Sequence, residues 1–256
     1  MTQVLDRDGQ RQAVLRHLTA PYFAPAGLDV WAEAIDRCVR EGLEILGGRE
    51  RADLMGDFAL PLTATVGAHV FGLPPAHAPH MMELAGRLFG HEHARTPGMR
   101  AAQREFALLV EEALRTKAEL PAEDVIGALV RARHGGAISG RELREQAGEL
   151  LIGASGTTAI RLAYGAALLL RHPQTLGRVP AADLVPVLEE LLGPRLTAPS
   201  AVGAPLARRV AAAALPALFA RFPGMRLVGE LTDIVWRGAI GDRRPVAVRV
   251  LLDVRA

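Results

Sequence analysis

The chain has 256 residues, of which 50% are hydrophobic and only 4% aromatic, so it can bury a sizeable core in which abundant Ala and Leu favour helix over sheet. The formal net charge is +2 and the arginines are scattered among acidic residues, which speaks against a nucleic-acid partner. One cysteine, Cys38, excludes an internal disulfide and is typical of a reducing cytoplasm, and the N-terminal MTQVLDRDGQRQ lacks the apolar core of a signal peptide.

The first half of the chain predicts helices joined by short loops. Residues 10–18 are predicted as a short helix that ends near Pro21. Residues 28–46 carry apolar side chains at helical spacing, and the Gly-Gly pair that follows is a helix stop signal. A brief extended piece comes next. Further helices are predicted at 58–71, 78–89 and 99–117.

The centre of the chain predicts one long helix. A shorter helix precedes it, over LPAEDVIGALVRAR, and is predicted to begin at Pro121. Ser139 and Glu142 then have the spacing of a capping box, and the helix that they open is predicted to end at His172-Pro173. Residues 150–170 are almost long enough to span a bilayer, but Arg161 and several small polar residues favour a buried central helix of a soluble protein.

The C-terminal third predicts two helices and a change to sheet. AADLVPVLEELLG is predicted as a helix that Gly193-Pro194 cuts off, and residues 205–222 as the last helix. In the tail, β-branched residues around GD and RRP predict a two-stranded ribbon.

Five segments, in the right order, resemble motifs of the bacterial cytochrome P450 monooxygenases: LRHLTAPYFAP, DFALPLTATVGAHVFGLP, ELLIGASGTTA, VLEELLG and VGAPLARR. The order of the predicted helices is also similar to that of the family, so the resemblance covers nearly the whole chain. The resemblance implies a mainly α fold, a truncated P450-like helical domain with a small C-terminal β-sheet, formed as a single domain over residues 1–256. It also implies that the family's N-terminal and meander β-sheet and its cysteine-ligand loop are missing. The ribbon of the tail should keep its partner strand, which in the family comes from the region of residues 53–55.

The resemblance places the family's haem-ligating cysteine at Ala201. The iron in this family is held by a cysteine thiolate, which promotes oxygen cleavage. Cys38 lies far upstream in another helix, so it is predicted to be a small buried hydrophobic residue and no ligand. Residues 194–200 alone bridge a gap where the family has several dozen residues, and the family's first helices and strands have no counterpart here. We therefore expect no haem and no other cofactor.

Other functional positions of the family are also altered. The haem-clamping His-x-x-x-Arg falls on Gln12 and Arg16, and the acid before the paired threonines falls on Gly156. The Glu-x-x-Arg ion pair falls on Glu190 and Gly193, so its arginine is lost. These changes predict a protein that does not act as a monooxygenase.

The resemblance implies that the old substrate cavity lies beside the long helix and the helix over residues 78–89. The predicted catalytic residues are Thr157, Ser155, His80 and His77, and the predicted substrate-binding residues are Ile152, Gly153, Gly156, Thr158, Met81 and Leu84. The plainer interpretations are that the hydroxyl groups bond back to the helix and that Met81 and Leu84 form a core stripe.

Five histidines concentrate in one region: His69, His77, His80, His91 and His93, with Glu92 between the last two. Their spacing matches no standard metal-ligand set, so we predict no metal site. A histidine that acts as a general acid or base in a non-redox reaction fits better, because imidazole titrates near neutral pH.

The sequence predicts a haem-free protein of bacterial secondary metabolism in the cytoplasm. It would bind an apolar biosynthetic intermediate and catalyse a cofactor-independent, non-redox step: cyclisation, isomerisation or dehydration. The alternative is a non-catalytic accessory protein that stabilises a pathway enzyme such as a glycosyltransferase. Exposed apolar helix faces would serve a homodimer or the partner enzyme. An inert remnant, which would fold poorly, is a third possibility.

Overall fold

The structure is a computed structural model that describes residues 2–74, 77–90, 96–120, 122–176, 179–180, 183–196, 204–237 and 244–252. Its helices are α1 (Thr2–Phe23), α2 (Pro25–Asp29), α3 (Ala32–Leu46), α4 (Leu60–Val70), α5 (Ala78–Gly90), α6 (Pro97–Glu119), α7 (Val125–His134), α8 (Gly140–Leu170), α9 (Pro173–Leu176), α10 (Leu184–Leu196) and α11 (Ala204–Arg221). Its strands are β1 (Arg51–Asp53), β2 (Arg226–Leu227), β3 (Trp236–Arg237), β4 (Arg244–Pro245) and β5 (Arg249–Leu251). The predicted mainly helical fold with a small C-terminal sheet is confirmed.

Helix α8 forms the centre of the molecule. It packs against α4, α11 and a π-helical turn at Leu54–Ala59, and also against α6, α7 and α10. Small residues allow the close approach: a Cβ added to Gly165 would lie 2.8 Å from Leu188 of α10. A helix that is apolar on most sides is expected in the core of a protein. None of the described helices is long and apolar enough to cross a bilayer.

The predicted capping box at the start of α8 is confirmed. The Glu142 amide donates to Ser139 Oγ at 3.2 Å, and the Ser139 amide donates to Glu142 Oε2 at 2.7 Å. Two of the unpaired amides at the helix start are thereby satisfied. The helix ends at Leu170, immediately before Arg171 and the predicted His172-Pro173 stop.

The C-terminal part of the chain contributes to two sheets, where one two-stranded ribbon was predicted, and its partner strand β1 lies at residues 51–53, beside the predicted region 53–55. β5 lies between β1 and β2 and is antiparallel to both, with Ala52 opposite Val250 and Leu227 opposite the same valine. β3 and β4 form a separate antiparallel pair. β5 therefore joins the chain after α3, which forms β1, to the chain after α11, which forms β2. Its Val250 is fully buried.

Four predicted helix boundaries that lie beside prolines are wrong. α1 continues through Pro21, whose place in the last turn costs only one backbone bond; Ala24 still donates to the Ala20 carbonyl. Pro25 then starts a separate helix, α2, so the predicted helix over 28–46 begins only at Ala32. Val30, expected on the buried stripe, is 74% exposed.

The other two boundary errors lie at α7 and α10. α7 begins at Val125, where Asp124 caps it by accepting from the Gly127 amide at 2.8 Å, and not at Pro121. A side-chain cap fixes the start of a helix more strongly than a nearby proline does. α10 passes through Gly193 and Pro194 and ends at Leu196, because a proline in the final turn again removes a single backbone bond.

Candidate functional site

The predicted threonine segment lies midway along α8. Gly156 is buried and Thr157 is half-buried. Thr158 is 1% exposed, and its Oγ1 is buried without a hydrogen-bond partner among the described residues. A buried hydroxyl without a partner is uncommon and costs about 1–3 kcal/mol, so such a group is a candidate for binding water or a ligand. The side chains of Ile152, Gly153 and Ser155 lie outside the described part of the structure.

The two predicted catalytic histidines face the carboxylates of α6. His77 Nε2 lies 3.6 Å from Glu112 Oε1, and His77 Nδ1 is buried without a described partner. A space of about 10 Å³, the size of one water molecule, adjoins His77 and Glu112. His80 is exposed and lowers the pKa of Glu105 by its charge, a smaller effect than that of the hydrogen bond from Arg87 to the same carboxylate.

The described contacts do not join the histidines to the threonines. Met81 and Leu84 are 5% and 1% exposed and belong to the hydrophobic core, as the plainer interpretation predicted. The stripe that these two residues form packs the start of α5 into the interior. His77 lies directly before α5, and the exposed His80 lies in its first turn. His91, Glu92 and His93 lie outside the described residues; among those described, no three His, Cys, Asp or Glu side chains are grouped to hold a metal ion.

An ionic cluster around the buried Arg161 links α8, α10 and α11, and the sequence did not predict it. Arg161 is 4% exposed and donates to Glu189 Oε1 at 3.1 Å, and Arg208 donates to the same oxygen at 2.7 Å. Burial by itself raises the pKa of Glu189, but the bonds from Arg208 and Arg161 outweigh it and hold that pKa below its ordinary value. The only signal in the sequence was one arginine within the apolar part of α8.

A second buried ion pair ties α6 to the start of α7. Lys117 Nζ contacts Asp124 Oδ2, and both side chains are less than 10% exposed. Gly72, at the end of α4, has φ +62°, and a Cβ there would collide with the Lys117 ammonium and the Asp124 carboxylate. Since Asp124 also caps α7, this pair serves the packing of three helices, and it stands close to the His77 side of the predicted site.

The side chains available to hold a haem do not include a thiolate. Cys38 is 4% exposed within α3, and burial, followed by the charge of Glu41, raises the pKa of its thiol, which favours the protonated form. Ala201, where the resemblance places the family's ligand, carries no sulfur. Neither α8 nor α11 contains a cysteine, histidine or methionine. Their one tyrosine, Tyr164, packs edge-on against Trp236 at 4.7 Å, and burial raises the pKa of its hydroxyl. This donor set does not fit a haem of the P450 type.

The curated proteins that the chain resembles are cytochrome P450s. Cytochrome P450 105C1 of a Streptomyces species is 32% identical over 187 residues, which are 69% of this chain and 46% of that protein. Cytochrome P450 CYP107DY1 of Priestia megaterium is 27% identical over 210 residues, or 79% of this chain and 50% of that protein. The chain therefore spans about half the length of the curated relatives that it matches. It matches no protein-family model.

Solved structures of this fold superpose on almost all of the chain. An epothilone B-bound cytochrome P450epoK matches with a TM-score of 0.81 at 19% identity, covering 95% of this chain and 78% of that one. The tirandamycin C-bound P450 monooxygenase TamI gives 0.79 at 21% identity, with 94% and 75% covered. CxnD, a P450 for C–S bond formation in chuangxinmycin biosynthesis, gives 0.76 at 22% identity, also with 94% and 75% covered. At 19–22% sequence identity, this structural similarity establishes the fold of the chain.

Proposed function

Since this chain is a relative of the cytochrome P450s and has their fold over most of its length, we propose that it works without a thiolate-bound haem. On this proposal it binds an apolar biosynthetic intermediate and promotes a non-redox step: cyclisation, isomerisation or dehydration. The observation that carries the proposal is the donor set. Ala201 stands at the ligand position, and the only thiol, Cys38, is buried in α3 and kept protonated.

The non-redox step would rest on orientation and on hydroxyl groups. Thr157, Thr158 and Ser155 lie within one turn of the central helix α8, and Gly156 lies between them. A substrate held there would be kept in a reactive conformation, and the unpartnered Thr158 hydroxyl could donate to an oxygen on which charge develops. Such a donor costs little reorganisation because the fold already holds it in place.

Of the two proposed acid–base residues, His77 is the better placed. Its Nε2 lies 3.6 Å from Glu112 Oε1, so that carboxylate orients the ring. Its Nδ1 is buried without a described partner, and the adjoining space of about 10 Å³ is the size of one water molecule. His80 is exposed and lies near Glu105 and Arg87, so it is more solvated than His77 and has more charged neighbours.

A biosynthetic context is supported by the solved relatives. CxnD is named for a step of chuangxinmycin biosynthesis, and another match is the P450 PksS of the bacillaene polyketide synthase of Bacillus subtilis. We propose the same general context here, with an apolar substrate.

The accessory role predicted as an alternative would need a broad apolar partner surface. The large exposed hydrophobic residues include Val14 in α1, Ile45 in α3 and Leu108 in α6, so they are spread over separate elements. No observation favours a glycosyltransferase or a second copy as the partner, and we carry the small-molecule function forward.

The haem-free proposal is tested by the absorption spectrum of the purified protein before and after addition of haemin. We expect no Soret band that shifts on reduction under carbon monoxide in the way thiolate-bound haem does. Cys38→Ala is the matched control, because it removes the only thiol. A shifted Soret band that is present in the unaltered protein and lost in Cys38→Ala would overturn the proposal.

The proposed site is tested by Thr157→Val, measured against the pathway intermediate that accumulates when the gene is deleted. We expect turnover to fall while the melting temperature changes little, because valine keeps the shape and loses the hydroxyl. Thr65→Val is the control: Thr65, in α4, donates its hydroxyl to the Pro61 carbonyl at 3.0 Å. Unchanged turnover in Thr157→Val would remove this threonine from the site.

A further inference from the structure

An apolar cleft of about 770 Å³ opens where the C-terminal ends of α8 and α11 meet β2. Its walls are largely hydrophobic; they include Leu170, Val179, Leu184, Phe219, Phe222 and Met225. The cleft is remote from the threonine segment: Leu170 lies 13 residues after Thr157, about 20 Å along the axis of α8. Its volume is within the range of sites that bury a small organic ligand.

Two arginines stand in the wall of this cleft. Arg171 donates through Nη2 to the Gly229 carbonyl at 2.6 Å and pairs with Glu230, while its Nε is buried without a partner among the described residues. Arg226, on β2, is exposed and has no acidic partner in the described part of the chain. Glu230 offsets the charge of Arg171, so Arg226 supplies the uncompensated positive charge.

We propose that this cleft binds an elongated apolar molecule that ends in a carboxylate. The apolar chain would lie between Leu170, Phe219 and Met225, where it removes apolar surface from water. The carboxylate would pair with Arg226, because a planar guanidinium accepts a carboxylate in two parallel hydrogen bonds. The unpartnered Nε of Arg171 is a second donor at the same wall. This site is separate from the one in the proposed function and does not depend on it.

The test is calorimetric titration of the full chain with dodecanoate and with dodecanol, which share the apolar chain and differ in charge. We expect dodecanoate to bind at one site and more tightly than dodecanol. Arg226→Gln should weaken dodecanoate about tenfold and leave dodecanol unchanged. Ala220→Phe, which places a ring in the cleft from α11, should weaken both probes.

Arg40→Gln is the matched control, since it removes one exposed arginine charge from α3, away from the cleft. Thermal melts of each variant confirm that it is folded. Equal affinity for the two probes, or dodecanoate binding that Arg226→Gln leaves intact, would overturn the carboxylate site. A cleft that takes up neither probe also overturns it and points to a protein partner at this face. None of these outcomes bears on the haemin spectrum.

Discussion

At the scale of single residues, Thr158 and Thr19 are a matched pair of buried threonines. Thr158 Oγ1 has no described partner, whereas Thr19 Oγ1 donates to the Leu15 carbonyl at 2.9 Å. Both side chains are about 99–100% buried. Within this pair, one buried hydroxyl is satisfied by a described partner and the other is not, and both threonines lie in α-helices.

Replacing each threonine by valine should therefore have opposite effects on stability. Thr158→Val should leave the free energy of unfolding unchanged or raise it by about 1 kcal/mol, because it removes an unpaired polar group. Thr19→Val should lower it by about 1 kcal/mol, because it removes a made bond. Urea unfolding of both variants measures the difference. A loss of stability in Thr158→Val as large as in Thr19→Val would mean that its hydroxyl is satisfied, by water for example.

Lys117 and Asp124 show what a buried charge needs. Lys117→Met leaves the Asp124 carboxylate buried without its cation and should cost about 3 kcal/mol of unfolding free energy. The double variant Lys117→Met, Asp124→Asn should recover most of that loss, because asparagine is neutral and still caps α7. Chemical denaturation of the single and double variants measures both free energies of unfolding. If the double variant is no more stable than Lys117→Met, the pair is not a coupled unit.

At the scale of elements, the α8–α10–α11 ionic cluster has a pH dependence with a definite sign. The pKa of Glu189 is lowered in the folded chain by Arg208 and Arg161, against the opposing effect of burial. Its bonds therefore stabilise the fold fully above the ordinary carboxyl pKa. As the pH falls, the unfolded chain takes up the proton first, and the stabilisation is lost as the pH passes through the lower folded pKa.

Glu189→Gln should consequently be less stable than the unaltered chain at pH 7, and this difference should shrink as the pH is lowered towards 3. Urea unfolding at several pH values checks it. Glu190→Gln is the control, because the neighbouring Glu190 is exposed and makes no described bond to these arginines. The same pH-dependent difference in Glu190→Gln would show that a general charge effect, and not the cluster, is responsible.

The elements also show how far the sequence leads. Periodicity and capping predicted α8 from Ser139 to its end, because a capping box and a His-Pro stop act locally. The errors at Pro21, Pro25 and Pro194 arose because proline in a first or last turn costs little, and tertiary packing decides whether the helix continues. The partner strand of the tail was predicted only through the resemblance, since pairing of residues 51–53 with 249–251 is not a local property.

The candidate site was predicted less completely than the fold. The motif placed Thr157 and Thr158 on the central helix, but histidine spacing gave no information on which helix His77 and His80 would face. The Glu189 cluster was missed because its three partners lie on three helices, and the motif directed attention to Glu190 instead. Clefts at helix ends, such as that beside Arg226, leave no periodic pattern in a sequence.

At the scale of the whole molecule, one hydrophobic core extends from Phe23 to Leu252. β5 joins the chain after α3 to the chain after α11, and α8 contacts elements from both halves. Unfolding of the elements in one half of the chain would therefore expose core residues of the other half. The prediction of a single domain therefore becomes a prediction about cooperativity.

The two tryptophans allow this cooperativity to be measured at both ends of the fold. Trp31 directly precedes α3, and Trp236 in β3 packs against Tyr164 of α8. Trp236→Phe leaves Trp31 as the only reporter, and Trp31→Phe leaves Trp236. In urea the two fluorescence midpoints should coincide with each other and with the loss of helical circular dichroism, because both reporters sit on one core. Adding Val250→Ala, which opens a cavity in the central strand, should cost about 2 kcal/mol and lower both midpoints equally. Midpoints that separate, or a valine effect confined to one reporter, would mean that the chain folds as two units.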